Sequence, residues 1–160
     1  MKLDTQLLAD VTAFLNIEAD ILDNKDYLQW LELWLESGLY IVPVDHNATD
    51  YANSLNVAYD DHEMRILRIE RLTSGYAVST QLSEKTVRTT SRFRILDDVD
   101  GLVRVRCAYS LYENNKNGIR CYPANLQFKL VRDGDSFKIA EKIVKIMNSS
   151  QYLTTVSYLF

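Results

Sequence analysis

The stretch NVAYDDHEMRILRIERLTSG (residues 56–75), followed by TVRTTSRFRIL (86–96), decides the fold. The chain before it reads helical and the chain after it reads as strand. Asp60 offers an N-cap acceptor, and Asp61, four residues before Arg65, favours the positive end of a helix dipole, so a helix is predicted from about residue 61. Strict alternation fails through Met64, Ile66, Leu67, Arg68 and Ile69, and Gly75 supplies the stop. At 100° per residue Arg65, Arg68 and Arg71 share an arc of roughly 120° opposite Ile66, Ile69 and Thr73. Two of these arginines lack an acid at i,i+4. Water, another segment or another chain must answer them.

Upstream, Leu7, Leu8, Val11, Phe14, Leu15, Ile21 and Leu22 recur at helical spacing, which predicts an amphipathic helix over residues 4–23. Glu18 interrupts the apolar stripe. It is either a buried carboxylate with a hydrogen-bonding partner or a group at the stripe's edge in water, and an unpaired buried charge is too costly to stand alone. Asp26 can cap a second helix, YLQWLELWLES (27–37), ended by Gly38. LYIVPV (39–44) then reads as a strand whose Pro43 marks an edge or an end.

Downstream the period changes to two. Residues 86–96 place Val87, Thr89, Ser91, Phe93 and Ile95 on one side and Arg88, Arg92 and Arg94 on the other. Residues 102–112 set Val103, Val105, Cys107, Tyr109 and Leu111 against Arg104 and Arg106. Residues 122–131 alternate Ala124, Leu126, Phe128 and Leu130 with Asn125, Gln127 and Lys129. A fourth strand follows the turn Asp133-Gly134-Asp135, with Phe137, Ile139 and Ile143 opposite Lys138 and Lys142. Helices first and an antiparallel meander afterwards give an α+β fold, with the helices on the apolar face of a curved sheet that forms a cone. The opposite face gathers arginine and lysine with no acid on the same alternation, which marks Arg88, Arg92, Arg94, Arg104 and Arg106, with Arg68 and Arg71 of the helix, as a candidate subunit interface. The apolar run YLTTVSYLF (152–160) is a further candidate contact.

The 160 residues suit one domain over 1–160. A net charge of −4 and a pI near 5.2 argue against a nucleic-acid partner. No apolar run reaches membrane-spanning length, and Asp4, Asp10, Glu18 and Asp20 break up the apolar region that a signal peptide needs, so the expectation is a soluble cytoplasmic protein. Cys107 and Cys121 flank the turn ENNKNG out of register with each other, which predicts free thiols.

The order EADILDNKDYLQWLELWLESGLYIVPV, AYDDHEMRILRIERLTSG and SEKTVRTTSRFRI resembles the beta (small) subunit of aromatic-ring-hydroxylating dioxygenases. The resemblance spans roughly residues 14–147. Its most specific parts are Glu18-Ala19 with Leu22-Asp23, the Trp30 to Trp34 block, Tyr40 with Pro43, Tyr59-Asp60-Asp61, and Arg68 to Thr73. It implies the cystatin-like fold of nuclear transport factor 2 relatives, a non-catalytic role, and a homotrimer within an alpha3beta3 assembly. The large alpha subunit would carry the Rieske [2Fe–2S] cluster and the mononuclear iron, leaving no cofactor in this chain. The residues agree with that division, because a Rieske cluster and a facial triad together need two cysteines and four histidines, whereas His46 and His62 are the only histidines here. A rival reading is a cofactor-free dehydratase or isomerase on the same cone, with Glu18 as base and tyrosines as donors. An open pocket around Glu18 would favour the rival; a cone filled by Phe14, Phe93, Phe128 and Phe137 would favour the subunit.

Overall fold

The computed structural model describes residues 3–74, 85–115, 117–147 and 159–160. Helix α1 (Thr5–Asp23) starts where the Asp4 carboxylate accepts the Leu7 N–H at 3.0 Å, and buries Leu7, Val11, Phe14, Leu15, Glu18 and Leu22 along one face. Helix α2 (Tyr27–Glu32) is short. Strand β1 (Trp34–Pro43) and strand β2 (Asn56–Asp60) form a hairpin, helix α3 (His62–Thr73) follows, and strands β3 (Lys85–Val99), β4 (Leu102–Asn115), β5 (Gly118–Asp133) and β6 (Ser136–Ile146) complete one six-stranded sheet. Its order is β2-β1-β6-β5-β4-β3, with β1 parallel to β6 and all other pairs antiparallel. The meander pairs in sequence order, as its period predicts. The parallel joint between β1 and β6 is an addition that local pattern does not carry.

The helix expected over 27–37 stops at Glu32, because pairing with β6 overrides helix propensity in the Trp34–Gly38 segment. Trp34 pairs with Ile139 and Leu39 with Glu141, so β1 bulges away from its partner between them. The bulge frees backbone carbonyls, and Arg65 caps them: its guanidinium donates to Gly38 O and to Leu35 O (3.1 Å) while lying 4.4 Å from the Trp34 ring centroid. Arg65 is 0 % exposed. It is not on the solvent side with Arg68 and Arg71. Leu72 falls between Arg65 and Arg68 on the helical wheel, so the buried stripe of α3 is Arg65, Ile69 and Leu72. Nor does Asp60 cap this helix; Asp61 does, accepting the Met64 N–H at 3.0 Å.

Three irregularities re-aim side chains in the meander. In β3, Ser91 pairs with Ala108 but Arg94 with Arg106, an extra residue accommodated by Arg92 at φ 54°. Thr86, Arg88 and Thr90 therefore turn toward α1, whereas Val87 is exposed, which reverses the expected faces before the bulge. A second shift falls between Ile95 and Asp97. In β6, Leu130 pairs with Ile139 but Lys129 with Glu141, so Ala140 is the extra residue and Lys142, not Ile143, joins Val144 and Ile146 on the inner side. Strands β4 and β5 keep the expected alternation, with Val103, Val105, Cys107, Tyr109 and Leu111 lying beside Leu126, Phe128 and Leu130 on the same inner face of the sheet. Cys107 pairs with Leu126 and Cys121 with Tyr112; both thiols are free.

Gly38 is required by a close approach rather than by a turn. A Cβ there would stand 2.7 Å from Trp34 Cε3 and 2.9 Å from the Ile139 carbonyl oxygen. Gly38→Ala is expected to destabilise the protein by about 2 kcal/mol, read by urea denaturation, because backbone on one side cannot give way. An unchanged midpoint would contradict this packing.

Candidate functional site

At the centre of the molecule α1 and β6 meet through opposite charges. Glu18 is 4 % and Lys142 1 % exposed. Lys142 Nζ donates to both Glu18 oxygens at 2.8 Å, and Trp30 Nε1 of α2 donates to Oε2 at 3.1 Å. The ammonium also lies 5.6 Å from the Phe128 ring centroid. Burial presses the Lys142 pKa below its ordinary value, and the adjoining Glu18 carboxylate opposes that shift. The space beside the pair is a cavity of about 10 Å³, about one water molecule, bordered by Arg88, Thr90, Cys107 and Tyr109. Burial, with Glu18 adding to it, pushes the Cys107 thiol up to about 12, and burial also raises the Tyr109 hydroxyl well above its ordinary value.

This geometry answers the rival reading. A general base needs a free oxygen within reach of substrate, yet both Glu18 oxygens are engaged and the adjoining cavity admits no small organic molecule. Phe14 and Phe137 lie 5.7 Å apart, Phe128 is buried, and Phe93 packs against the same core, so aromatic rings fill the part of the concave side around Glu18, while a cavity of about 390 Å³ remains between the start of α1 and the end of β3, lined by Leu3, Leu7, Leu8, Phe93 and Ile95. His46 lies in the loop after β1 and His62 opens α3, away from Cys107 and Cys121 in the meander. The four donors do not converge, and among the described residues no group of three or more His, Cys, Asp or Glu is placed to hold a metal ion. The residues do not fit an iron–sulfur cluster or a mononuclear iron.

The arginines marked in the sequence divide into two sets. Arg88 is turned inward by the bulge at Arg92: it pairs with Asp23 at 2.5 Å, with its side chain 4 % exposed, so it leaves the candidate surface. Arg68 pairs with Asp60 at 2.5 and 3.0 Å and is part-buried. Arg104 pairs with Asp97 at 2.9 Å, Arg132 with Asp98 at 3.0 Å and Lys129 with Glu141 at 3.4 Å, so acids do share the outer face, contrary to the alternation argument. Lys138 donates to the Glu32 carbonyl. What stays exposed and unanswered by an acid among the described residues is smaller: Arg71 on α3, Arg92, which donates to Asn125, Arg94, and the partly buried Arg106 opposite Arg94. Further along the same face, toward the start of β3 and the end of β4, Val87 opposite Tyr112, and Ile119, are exposed. Of YLTTVSYLF, residues 152–158 lie outside the described residues, and Leu159 and Phe160 are buried.

The fold itself, helices on one side of a curved, open, six-stranded sheet, is that of nuclear transport factor 2-like proteins. The ring-hydroxylating beta subunit family matches residues 17–151, and the chain belongs to that family. It is 24% identical over 143 residues to the anthranilate 1,2-dioxygenase small subunit of Acinetobacter baylyi, covering 86% of this chain and 88% of that one. Among solved structures it is similar to the beta subunit of the benzoate 1,2-dioxygenase of Burkholderia mallei, with a TM-score of 0.79, 21% identity and 99% of each chain covered. A chain of naphthalene 1,2-dioxygenase with indole bound in the active site gives a TM-score of 0.84 at 18% identity, covering 99% of this chain and 88% of that chain.

Sequence reasoning singles out Glu18 but not its partners. Lys142 is hidden by the unmarked bulge at Ala140. Arg65, like Glu18, is a charged residue on an otherwise apolar stripe, here with Ile69 and Leu72. Replacing Lys142 with Met strands a buried carboxylate and is expected to cost about 3 kcal/mol or more in urea denaturation. Combining it with Glu18→Gln should cost less than the sum of the two single changes by about 2 kcal/mol. Additive losses would show that the two groups are not coupled.

Proposed function

We propose that this chain is the non-catalytic small subunit of a multicomponent aromatic-ring-hydroxylating dioxygenase of the cytoplasm. It folds as one domain over 1–160 and assembles as a homotrimer that holds three large subunits in an alpha3beta3 complex. The large subunit houses the Rieske cluster and the mononuclear iron, and this chain houses neither. One observation carries the reading: the space around Glu18, where the candidate base of a cofactor-free enzyme would meet substrate, is closed by the Glu18–Lys142 pair and aromatic packing. The outer face instead presents Arg92, Arg94 and Arg106 and, further along the same strands, exposed Val87, Tyr112 and Ile119. Arginine with aromatic and aliphatic neighbours is the composition of a desolvated protein contact, since the guanidinium can bind a carboxylate bidentately and stack. No described helix is long and apolar enough to cross a membrane.

Sedimentation of the protein alone and co-expressed with its large subunit tests the proposal. A trimer or larger is expected, each contact burying at least about 1,000 Å², and metal analysis of the chain made alone should find no stoichiometric iron. Charge reversal in the Arg94→Glu, Arg106→Glu double variant should weaken assembly about tenfold or more, or about 1.4 kcal/mol, with the thermal unfolding of the protomer little changed. A chain that stays monomeric at micromolar concentration with and without the large subunit would overturn the proposal.

A further inference from the structure

Leu159 and Phe160 are each 1 % exposed but belong to no helix or strand. Side chains satisfy their main-chain groups. The Phe160 N–H donates to Tyr40 Oη at 3.0 Å, and the Leu159 carbonyl accepts from the Arg88 guanidinium. The Phe160 ring meets Tyr122 edge to face, with centroids 5.9 Å apart at 78°. Side-chain hydrogen bonds to main-chain groups of a segment, combined with a contact for its ring, are how a protein can read a peptide ligand.

The groups that do the reading are fixed by contacts that do not involve residues 159–160. Tyr40 is clamped within β1 by Trp30 and Trp34, edge to face at 5.8 and 6.3 Å. Asp23 at the end of α1 holds Arg88, pairing with its guanidinium at 2.5 Å and accepting its backbone N–H at 2.9 Å. Tyr122 is fixed in the ladder opposite Leu111. A seat formed in advance binds at lower cost, because little has to be ordered when the ligand arrives. It also explains the inward turn of Arg88, since the bulge at Arg92 aims that guanidinium at the Leu159 carbonyl.

We infer that Tyr40, Arg88 and Tyr122 form a binding site for an apolar aromatic dipeptide segment. The chain's own Leu159-Phe160 fills it, and the site can be emptied and refilled in trans. Arg88 also borders the small cavity beside Glu18 and Lys142, so the seat's occupant sits next to the closed centre of the molecule.

The test uses the full chain with Leu159→Ala and Phe160→Ala combined, and N-acetyl-Leu-Phe-amide as the probe. The double variant should melt at least about 5 °C below the parent. Millimolar peptide should recover part of that loss and should leave the parent unshifted. Adding Tyr40→Phe to the double variant should weaken peptide binding about threefold or more, because the acceptor for the Phe160-type N–H is gone. An unchanged melting temperature would show that the segment is not seated. A lower melting temperature without any response to the peptide would make the two residues an inseparable part of the core. Failure of both the double variant and Phe160→Ala alone to fold would mean the same, and each of these results overturns the inference.

Discussion

The rest of the structure depends on the contact between Glu18 and Lys142. It joins the middle of α1 to the inner face of β6, and Trp30 brings α2 to the same point. Removing two charges from water costs several kcal/mol each, and their attraction offsets this only when geometry and further hydrogen bonds are good. Here the ammonium reaches both carboxylate oxygens and the indole N–H takes up a further lone pair. A pair of this kind contributes less to net stability than to specificity. If α1 turned by one residue, a bare carboxylate would be left among Phe128, Leu126 and Cys107, so only one docking of the helix is tolerable.

The same logic places the bulges. A strand slip of one residue exchanges its two faces, and β6 needs Phe137 and Ile139 inside in its first half and Lys142, Val144 and Ile146 inside in its second. Ala140 absorbs the difference. In β3 the extra residue at Arg92 lets Thr86, Arg88 and Thr90 face α1 and still returns Phe93 and Ile95 to the core. Arg65 plays the corresponding part in β1, where its guanidinium takes the carbonyls that a broken ladder leaves without partners.

These features explain what is legible in the sequence. Helix α1 and strands β4 and β5 are readable because an unbroken period fixes which residues face inward; α3 is readable as a helix, but its inward face is not, because the buried Arg65 stands on it. The faces of β3 and β6 are not, because neither bulge carries a glycine or proline to announce it, and each reverses the alternation on one side of it. The segment Trp34–Ser37 reads as helix because its tryptophan and leucine continue the helical pattern before it, while the pairing of Trp34 with Ile139 is a contact between distant parts of the chain that no local window contains. Glu18 stands out as a charge on an apolar stripe. Its partner does not, since Lys142 on a regularly alternating strand would face water. The alternation overdraws the basic outer face for the same reason: with β3 regular, Arg88 lies outside and Asp97 has no place opposite Arg104.

Around Glu18 the concave side is closed by an ion pair and aromatic rings, and the outer face carries the arginines that no acid answers and, further along the strands, exposed apolar side chains. Whether that interior is closed in solution can be measured directly. Acetic anhydride is small enough to enter an open pocket, and mass spectrometry after partial acetylation reports each lysine separately. The account predicts that Lys142 stays unmodified in the folded protein while Lys129, whose side chain is 42% exposed, is acetylated, and that both react once the protein is unfolded. Acetylation of Lys142 at the rate of Lys129 in the folded protein would show a water-filled, accessible interior and would contradict it.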